Sequence, residues 1–127
     1  MTAKEVVLAF WDAMGTNDFK HASQWLSVAF ENYMPQTGEL IKGRENFVAV
    51  NANYPSNSKW LFTLNSITAE GNNVVTDVSI TNGTLTARAI TFHTVENSLI
   101  AKQREYWPDD YPAPEWRSQW VEARPYS

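Results

Sequence analysis

Cysteine is absent from the 127 residues, which excludes disulfide frameworks, thiol nucleophiles and Cys-type zinc sites and is compatible with a reducing cytoplasm. Basic residues are also scarce, ten Lys and Arg against fourteen Asp and Glu, and they form no run. A phosphate-tracking stripe is therefore missing, and nucleic acid is not an expected partner. No stretch approaches the ~18 consecutive apolar residues of a membrane span, so no membrane association is expected. Met1-Thr2-Ala3-Lys4-Glu5 has neither the apolar core nor the cleavage site of a signal peptide. The expected location is cytoplasmic. The two histidines, His21 and His93, lack helical ligand spacing, and no Gly-rich phosphate loop exists, so neither a metal nor a cofactor is expected.

What remains is rich in large apolar groups: six Trp, five Tyr and six Phe. The length fits one domain over 1–127, with 108–127 as a C-terminal tail carrying Pro108, Pro112, Pro114, Trp116 and Trp120. Thr2-Ala3-Lys4-Glu5 has the form of a capping box, and Val7, Phe10, Trp11 and Met14 follow at i, i+3, i+4, i+7, which predicts an amphipathic helix. Gly15 to Asp18 breaks it and caps a short second helix with Phe19, Ala22 and Leu26 on one side. Phe30 to Met34 reads as a short strand ended by Pro35. Gly43-Arg44-Glu45-Asn46 opens a third helix, with Phe47, Val50 and Tyr54 inward, that Pro55 closes. From Lys59 the period becomes alternating. Turn signals at Gly71-Asn72-Asn73, Asn82-Gly83 and Glu96-Asn97-Ser98 divide four strands, roughly 59–70, 74–81, 84–95 and 99–107.

The turns set an expected register. A two-residue loop at Asn82-Gly83 pairs Asp77 with Arg88, and one at Asn97-Ser98 pairs Ile90 with Glu105 and Phe92 with Gln103. A loop at Gly71-Asn72 puts Ser66 opposite Asp77. One face then carries Trp60, Phe62, Leu64, Asp77, Arg88, Ile90, Phe92, Gln103, Glu105 and Trp107, a mixture of aromatics and polar groups that reads as a ligand pocket. The other carries Val74, Val78, Ile80, Ala89, Ile100 and His93. The helices suffice to cover one face, so the second is expected to be closed by another copy of the chain in a homodimer. A three-residue turn at Glu96-Asn97-Ser98 would flip the last strand and turn Glu105 to the other side.

Phe10-Trp11-Asp12-Ala13-Met14, Pro35-Gln36-Thr37-Gly38-Glu39 with Gly43-Arg44-Glu45-Asn46-Phe47, Val74-Val75-Thr76-Asp77-Val78, Thr86-Ala87-Arg88-Ala89-Ile90 and Arg104-Glu105-Tyr106-Trp107-Pro108 together resemble one family. It is the SnoaL-like family of the nuclear transport factor 2-like (NTF2-like) superfamily, which also includes ketosteroid isomerases and limonene-type epoxide hydrolases. The likeness spans nearly the whole chain. It implies an α+β, cystatin-like cone, with three N-terminal helices packed on a strongly curved, mostly antiparallel sheet around a pocket. Such folds host isomerases, cyclases, hydrolases and non-catalytic binders. Arg104-Glu105-Tyr106-Trp107 looks like the Arg-Asp-Tyr-Phe stretch of the epoxide hydrolases, whose acid faces the pocket. Asp77 falls near the strand of the other catalytic acid there, although Val75 stands where those hydrolases have an arginine.

The residues proposed to act follow from register and resemblance together. Glu105 and Asp77 are the candidate catalytic groups, Glu105 as a proton shuttle among apolar neighbours and Asp77 held ionised by Arg88. Arg88, Trp107, Tyr33, Phe62, Phe92, Gln103 and Trp11 are the candidate substrate contacts. The expected function is cofactor-independent proton transfer on a small apolar carbonyl compound, of the isomerase or cyclase type. A non-catalytic ligand-binding or accessory protein and an epoxide hydrolase-like enzyme are the alternatives.

Overall fold

The computed structural model describes residues 1–124, so the last three residues of the expected tail lie outside the described residues. The first helix, α1 (Ala3–Met14), begins at the expected capping box: the Thr2 hydroxyl accepts from the Glu5 amide at 3.1 Å, and the Thr2 amide donates to Glu5 Oε1 at 2.8 Å. Those two bonds satisfy amides that the first helical turn leaves unpaired. Val7, Phe10, Trp11 and Met14 are buried along its inner stripe. A one-turn helix, α2 (Phe19–Ala22), follows under an Asp18 cap and leads into β1 (Leu26–Met34). A short edge strand, β2 (Glu39–Lys42), which the sequence pattern did not announce, precedes α3 (Gly43–Asn53). The meander is β3 (Leu61–Glu70), β4 (Asn73–Thr81), β5 (Thr86–Glu96) and β6 (Leu99–Tyr106). Among the described residues no helix is long and apolar enough to cross a membrane.

The six strands form one sheet in the order β2-β1-β6-β5-β4-β3, with β1 parallel to β6 and every other pair antiparallel. α1 and α3 cover one face. The core between them joins Val6, Val7, Phe10 and Phe47 to Phe30, Val74, Val78, Ala89 and Ile100. This corrects the expected dimer contact: Val74, Val78, Ile80, Ala89 and Ile100 lie under this chain's own helices and need no second copy to cover them. His93, assigned to the same outer side, is likewise buried inside.

Two bulges decide which residues of β3 and β6 join them on that face. In β3 the pairing runs Leu64 with Val78 and then Ser66 with Asp77, leaving Asn65 as an extra residue. In β6 it runs Val95 with Ile100 and then Thr94 with Lys102, leaving Ala101 extra. An extra residue changes the parity of everything beyond it, because side chains alternate with period two. Phe62 and Leu64 on β3, and Gln103 and Glu105 on β6, therefore turn to the helix-covered face. Asp77, Arg88, Ile90 and Phe92 stay on the open face. The Asn97-Ser98 loop has two residues, both at positive φ, as its sequence implied. The Asn82 loop is longer than expected: pairing resumes at Thr81 with Thr86, so Asp77 faces Ile90 rather than Arg88. That shift is of two residues, and it leaves the faces unchanged.

The tail beyond Tyr106 ends in a 3-10 turn over Glu115–Trp120, with Trp116 and Trp120 respectively 74% and 71% exposed. Neither indole is buried by the other described residues. Truncation after Asp110 is therefore expected to leave the thermal midpoint unchanged, because stability lost on deletion scales with apolar area removed from contact. Scanning calorimetry of both forms checks this. A clear fall in the midpoint would mean that the indoles are buried against a second copy.

Candidate functional site

A cavity of about 840 Å³ opens between α1, α3 and the covered face of the sheet, a size that suits a small organic ligand. Its wall is mainly apolar. Trp11, Met14, Phe47 and Phe62 lie inside, and Val50, Tyr54, Leu40 and Leu85 stand at the more exposed rim. Two tryptophans are held in place by the same device. Asn17, in the left-handed region at φ 64°, clamps the backbone of Trp60, its Oδ1 accepting from the Trp60 amide at 2.7 Å and its Nδ2 donating to the carbonyl at 2.8 Å. Gln36 grips the backbone of Trp107 in the same two-handed way. Both indoles thus line the cavity from strand ends that have no further ladder partner.

The buried polar part of the cavity, Asn32, Gln103 and Glu105, lies at the sheet. Glu105 is 7% exposed. Its Oε2 accepts from the Thr91 hydroxyl at 2.7 Å and its Oε1 from Asn32 Nδ2 at 3.2 Å. Burial pushes its carboxyl above the ordinary range, and hydrogen bonds from Thr91, Asn32 and Trp107 pull part of the way back. Desolvation penalises the charged form, and three donors offset it only partly.

Beside Glu105 runs a directional chain of buried hydrogen bonds. Trp11 Nε1 donates to Thr76 Oγ1 at 3.2 Å, Thr76 Oγ1 lies 2.8 Å from His93 Nε2, and His93 Nδ1 lies 2.7 Å from Gln103 Oε1. Gln103 Oε1 can only accept, so Nδ1 carries the imidazole proton, Nε2 accepts, and the Thr76 hydroxyl donates to it. Every group in the chain is then satisfied with His93 neutral. Burial depresses the His93 pKa to about 4, the bond to Gln103 opposing that only in part. Because its oxygen is taken, Gln103 offers its amide N–H groups to the cavity that it lines.

Of the candidates named from the sequence, Glu105, Gln103, Trp107, Phe62 and Trp11 come together here. Asp77, Arg88, Phe92 and Tyr33 do not. Asp77 and Arg88 approach diagonally on the open face, Nε to Oδ1 4.0 Å, and both are partly solvated, so they form a surface ion pair of small energetic weight. Phe92, also on that face, stacks with the Arg104 guanidinium 4.6 Å from its centroid. Tyr33 pairs with Arg104 across β1 and β6 and shares that outward parity, whereas its neighbour Asn32 pairs with Gln103 and faces in. Asn32, Thr76, Thr91 and His93 are site residues that the sequence reading missed. Alternation of Phe30, Asn32 and Met34 along β1 is the signal that would have found Asn32. Among the described residues, no three His, Asp or Glu side chains gather as a metal site would require.

A six-stranded curved sheet with helices over one face and a ligand-sized cavity between them defines an NTF2-like domain. The SnoaL-like domain family matches residues 7–103, and the chain belongs to it. The matched span stops two residues short of Glu105. A candidate ketosteroid isomerase from Kribbella flavida DSM 17836 is similar over 98% of this chain and 90% of its own, at 24% identity and a TM-score of 0.89. An NTF2-like protein of unknown function from Burkholderia xenovorans LB400 is similar over 97% and 95%, at 29% identity and a TM-score of 0.79. An LEH-like epoxide hydrolase from M. tuberculosis is similar over 84% and 82%, at 19% identity and a TM-score of 0.67. No curated protein matches the chain.

Proposed function

We propose that the protein is a cofactor-independent enzyme that moves a proton next to the carbonyl of a small, largely apolar substrate, with Glu105 as the proton-transfer group. The observation that carries this reading is a lone buried carboxylate, raised in pKa, in the wall of an apolar cavity. A carboxylate that holds its proton more tightly than usual is a stronger base once ionised, and its pKa lies closer to working pH. In the reaction, Glu105 takes the proton from the carbon beside the carbonyl. The electron pair of that C–H bond passes into the carbonyl, and the oxygen gains negative charge. The free N–H groups of Gln103 are suited to hold that oxygen, with the His93 chain fixing the amide so that its nitrogen, not its oxygen, meets the ligand.

Similarity to a candidate ketosteroid isomerase supports the isomerase or cyclase reading through the fold alone. An epoxide hydrolase-like reaction is less well supported. It would need a second acid beside Glu105, but Asp77 is on the open face, the inward residues of β4 are Val74, Thr76, Val78 and Ile80, and Glu39 and Asp109, which also line the cavity, are solvent-exposed. The test is proton exchange: apolar cyclic ketones such as 1-indanone are incubated with the protein in D₂O, and loss of the α-proton signal is followed by NMR. Exchange well above that of buffer is expected. Tight binding of such ketones without exchange would favour a non-catalytic binding protein instead.

A further inference from the structure

The charged side chains that line the cavity are all acids: Glu105, buried at the sheet, and Glu39 and Asp109, exposed. Among the described residues no Lys, Arg or His lines it. The sheet does carry bases, but Arg88 and Arg104 stand on its open face, where they meet Asp77 and Phe92. His93 is bonded to Gln103 and held neutral by burial, so it brings no positive charge to the site near neutral pH. Glu105 itself takes its hydrogen bonds from Thr91, Asn32 and Trp107, all of them uncharged. Once ionised, it is a buried anion without a counter-ion among the described residues.

That distribution decides which second charge the cavity can admit. A carboxylate or phosphate on the ligand would add like charge where repulsion is weakly screened, and no guanidinium or ammonium would offset its loss of water. It would also make the ionised form of Glu105 harder to reach. A ligand ammonium does the reverse. It lowers the cost of ionising Glu105, and it meets the aromatic faces of Trp11, Trp60, Trp107 and Phe62, whose π-clouds attract cations. We infer that the cavity sorts its ligands by the sign of their charge: the substrate is a small carbonyl compound that is uncharged or carries an amine. Keto acids and phosphorylated carbonyl compounds are excluded. This inference rests on the cavity being the ligand site, as proposed above, and not on turnover.

Three matched probes test it near neutral pH: 1-indanone-5-carboxylate, the similarly shaped 1-indanone-5-carboxamide and 5-(aminomethyl)-1-indanone, their binding read by quenching of the tryptophans that line the cavity. The carboxylate is expected to bind at least about tenfold more weakly than the carboxamide, and the amine at least as tightly as the carboxamide. Glu39 and Asp109 are exposed, so raising salt from about 0.02 M to about 0.5 M should screen their share and narrow the gap without closing it. In Glu105→Gln at high salt the gap should fall to about threefold or less, because the buried charge is gone. If that variant does not fold, the wild-type comparison decides alone. Equal affinity of carboxylate and carboxamide for the wild type would overturn the inference, since some group would then be pairing with the anion. Equal rejection of amine and carboxylate would overturn it too, because the cavity would be refusing charge of either sign through desolvation alone. Binding of none of the three would remove the cavity as the ligand site and defeat both this inference and the proposed activity. Sorting by charge without α-proton exchange would leave this inference standing and defeat the proposed activity only.

Discussion

Glu105→Gln is expected to lower α-proton exchange by roughly 10²-fold to 10⁴-fold, the usual range for loss of a general acid–base group. Binding of 1-indanone should change by no more than about threefold. Glutamine keeps the shape and can still accept from Asn32 Nδ2, while the Thr91 hydroxyl can turn to accept from the new amide. What disappears is the ability to take up and release a proton. Loss in rate with binding preserved identifies an interaction made in the transition state rather than in the ground state.

The same substitution has a second signature, in stability. The folded pKa of Glu105 is raised, so below the unfolded value near 4.5 the group is protonated in both states and costs nothing. As pH rises toward the folded pKa the unfolded chain loses its proton first, and stability falls. Glu105→Gln removes that loss and should be at least as stable as the wild type at neutral pH. A rate fall of less than about tenfold, in a variant shown to be folded, would remove Glu105 from the proposed role.

Why some of this site was legible in the sequence and some was not comes down to counting residues along strands. The first helix was readable because its cap, its spacing and its buried stripe all depend on local contacts, and Thr2, Glu5, Phe10 and Trp11 meet those requirements together. The turn at Asn97-Ser98 was readable because two residues at positive φ form a tight hairpin. The bulges at Asn65 and Ala101 were not. Neither position is a glycine or proline, and a bulge of this kind is decided by how a strand must bend within the curved sheet. Each bulge changes the face of every residue beyond it. Phe62 and Glu105 stayed together only because β3 and β6 both turned over. Asp77, Arg88 and Phe92, on the unbulged β4 and β5 between them, were left on the far side. The neighbours of Glu105 therefore became Thr91 and Asn32 in place of Phe92, and the proposed chemistry changed from a two-acid site with an arginine to a site with one buried acid and two amides.

His93→Gln is expected to flatten the acid limb of the stability curve. In the wild type His93 is buried and neutral, with its pKa lowered from 6.5 to about 4. Between those values the unfolded chain binds a proton at this residue that the folded chain does not. Stability is therefore fully present above pH 6.5 and lost as pH falls through the window, by about 3 kcal/mol at pH 4, since a tenfold change in proton affinity corresponds to about 1.4 kcal/mol. That is a large part of the ~5–15 kcal/mol by which domains of this kind are stable. Glu105 cannot produce the effect, because its contribution runs the other way and fades as pH rises.

Physically, a protonated imidazole would carry hydrogens on both nitrogens. Nε2 would then face the Thr76 hydroxyl as a donor, and that hydroxyl already accepts from Trp11. The hydroxyl proton would have to leave the chain, and the charge would sit beside Phe10 and Trp11 with no carboxylate bonded to the ring. A glutamine at 93 can keep a donor toward Gln103 but cannot gain charge. Some stability is lost at pH 7, on the order of 1–3 kcal/mol for a disturbed buried network. Urea unfolding followed by tryptophan fluorescence at pH 7, 5.5 and 4.5 provides the check, with the difference between wild type and variant cancelling the carboxylates that titrate in both. That difference should narrow by about 2 kcal/mol from pH 7 to pH 4.5. Parallel losses in the two proteins would show that His93 takes up its proton in the folded state at an ordinary pH, and the neutral relay that orients Gln103 would have to be given up.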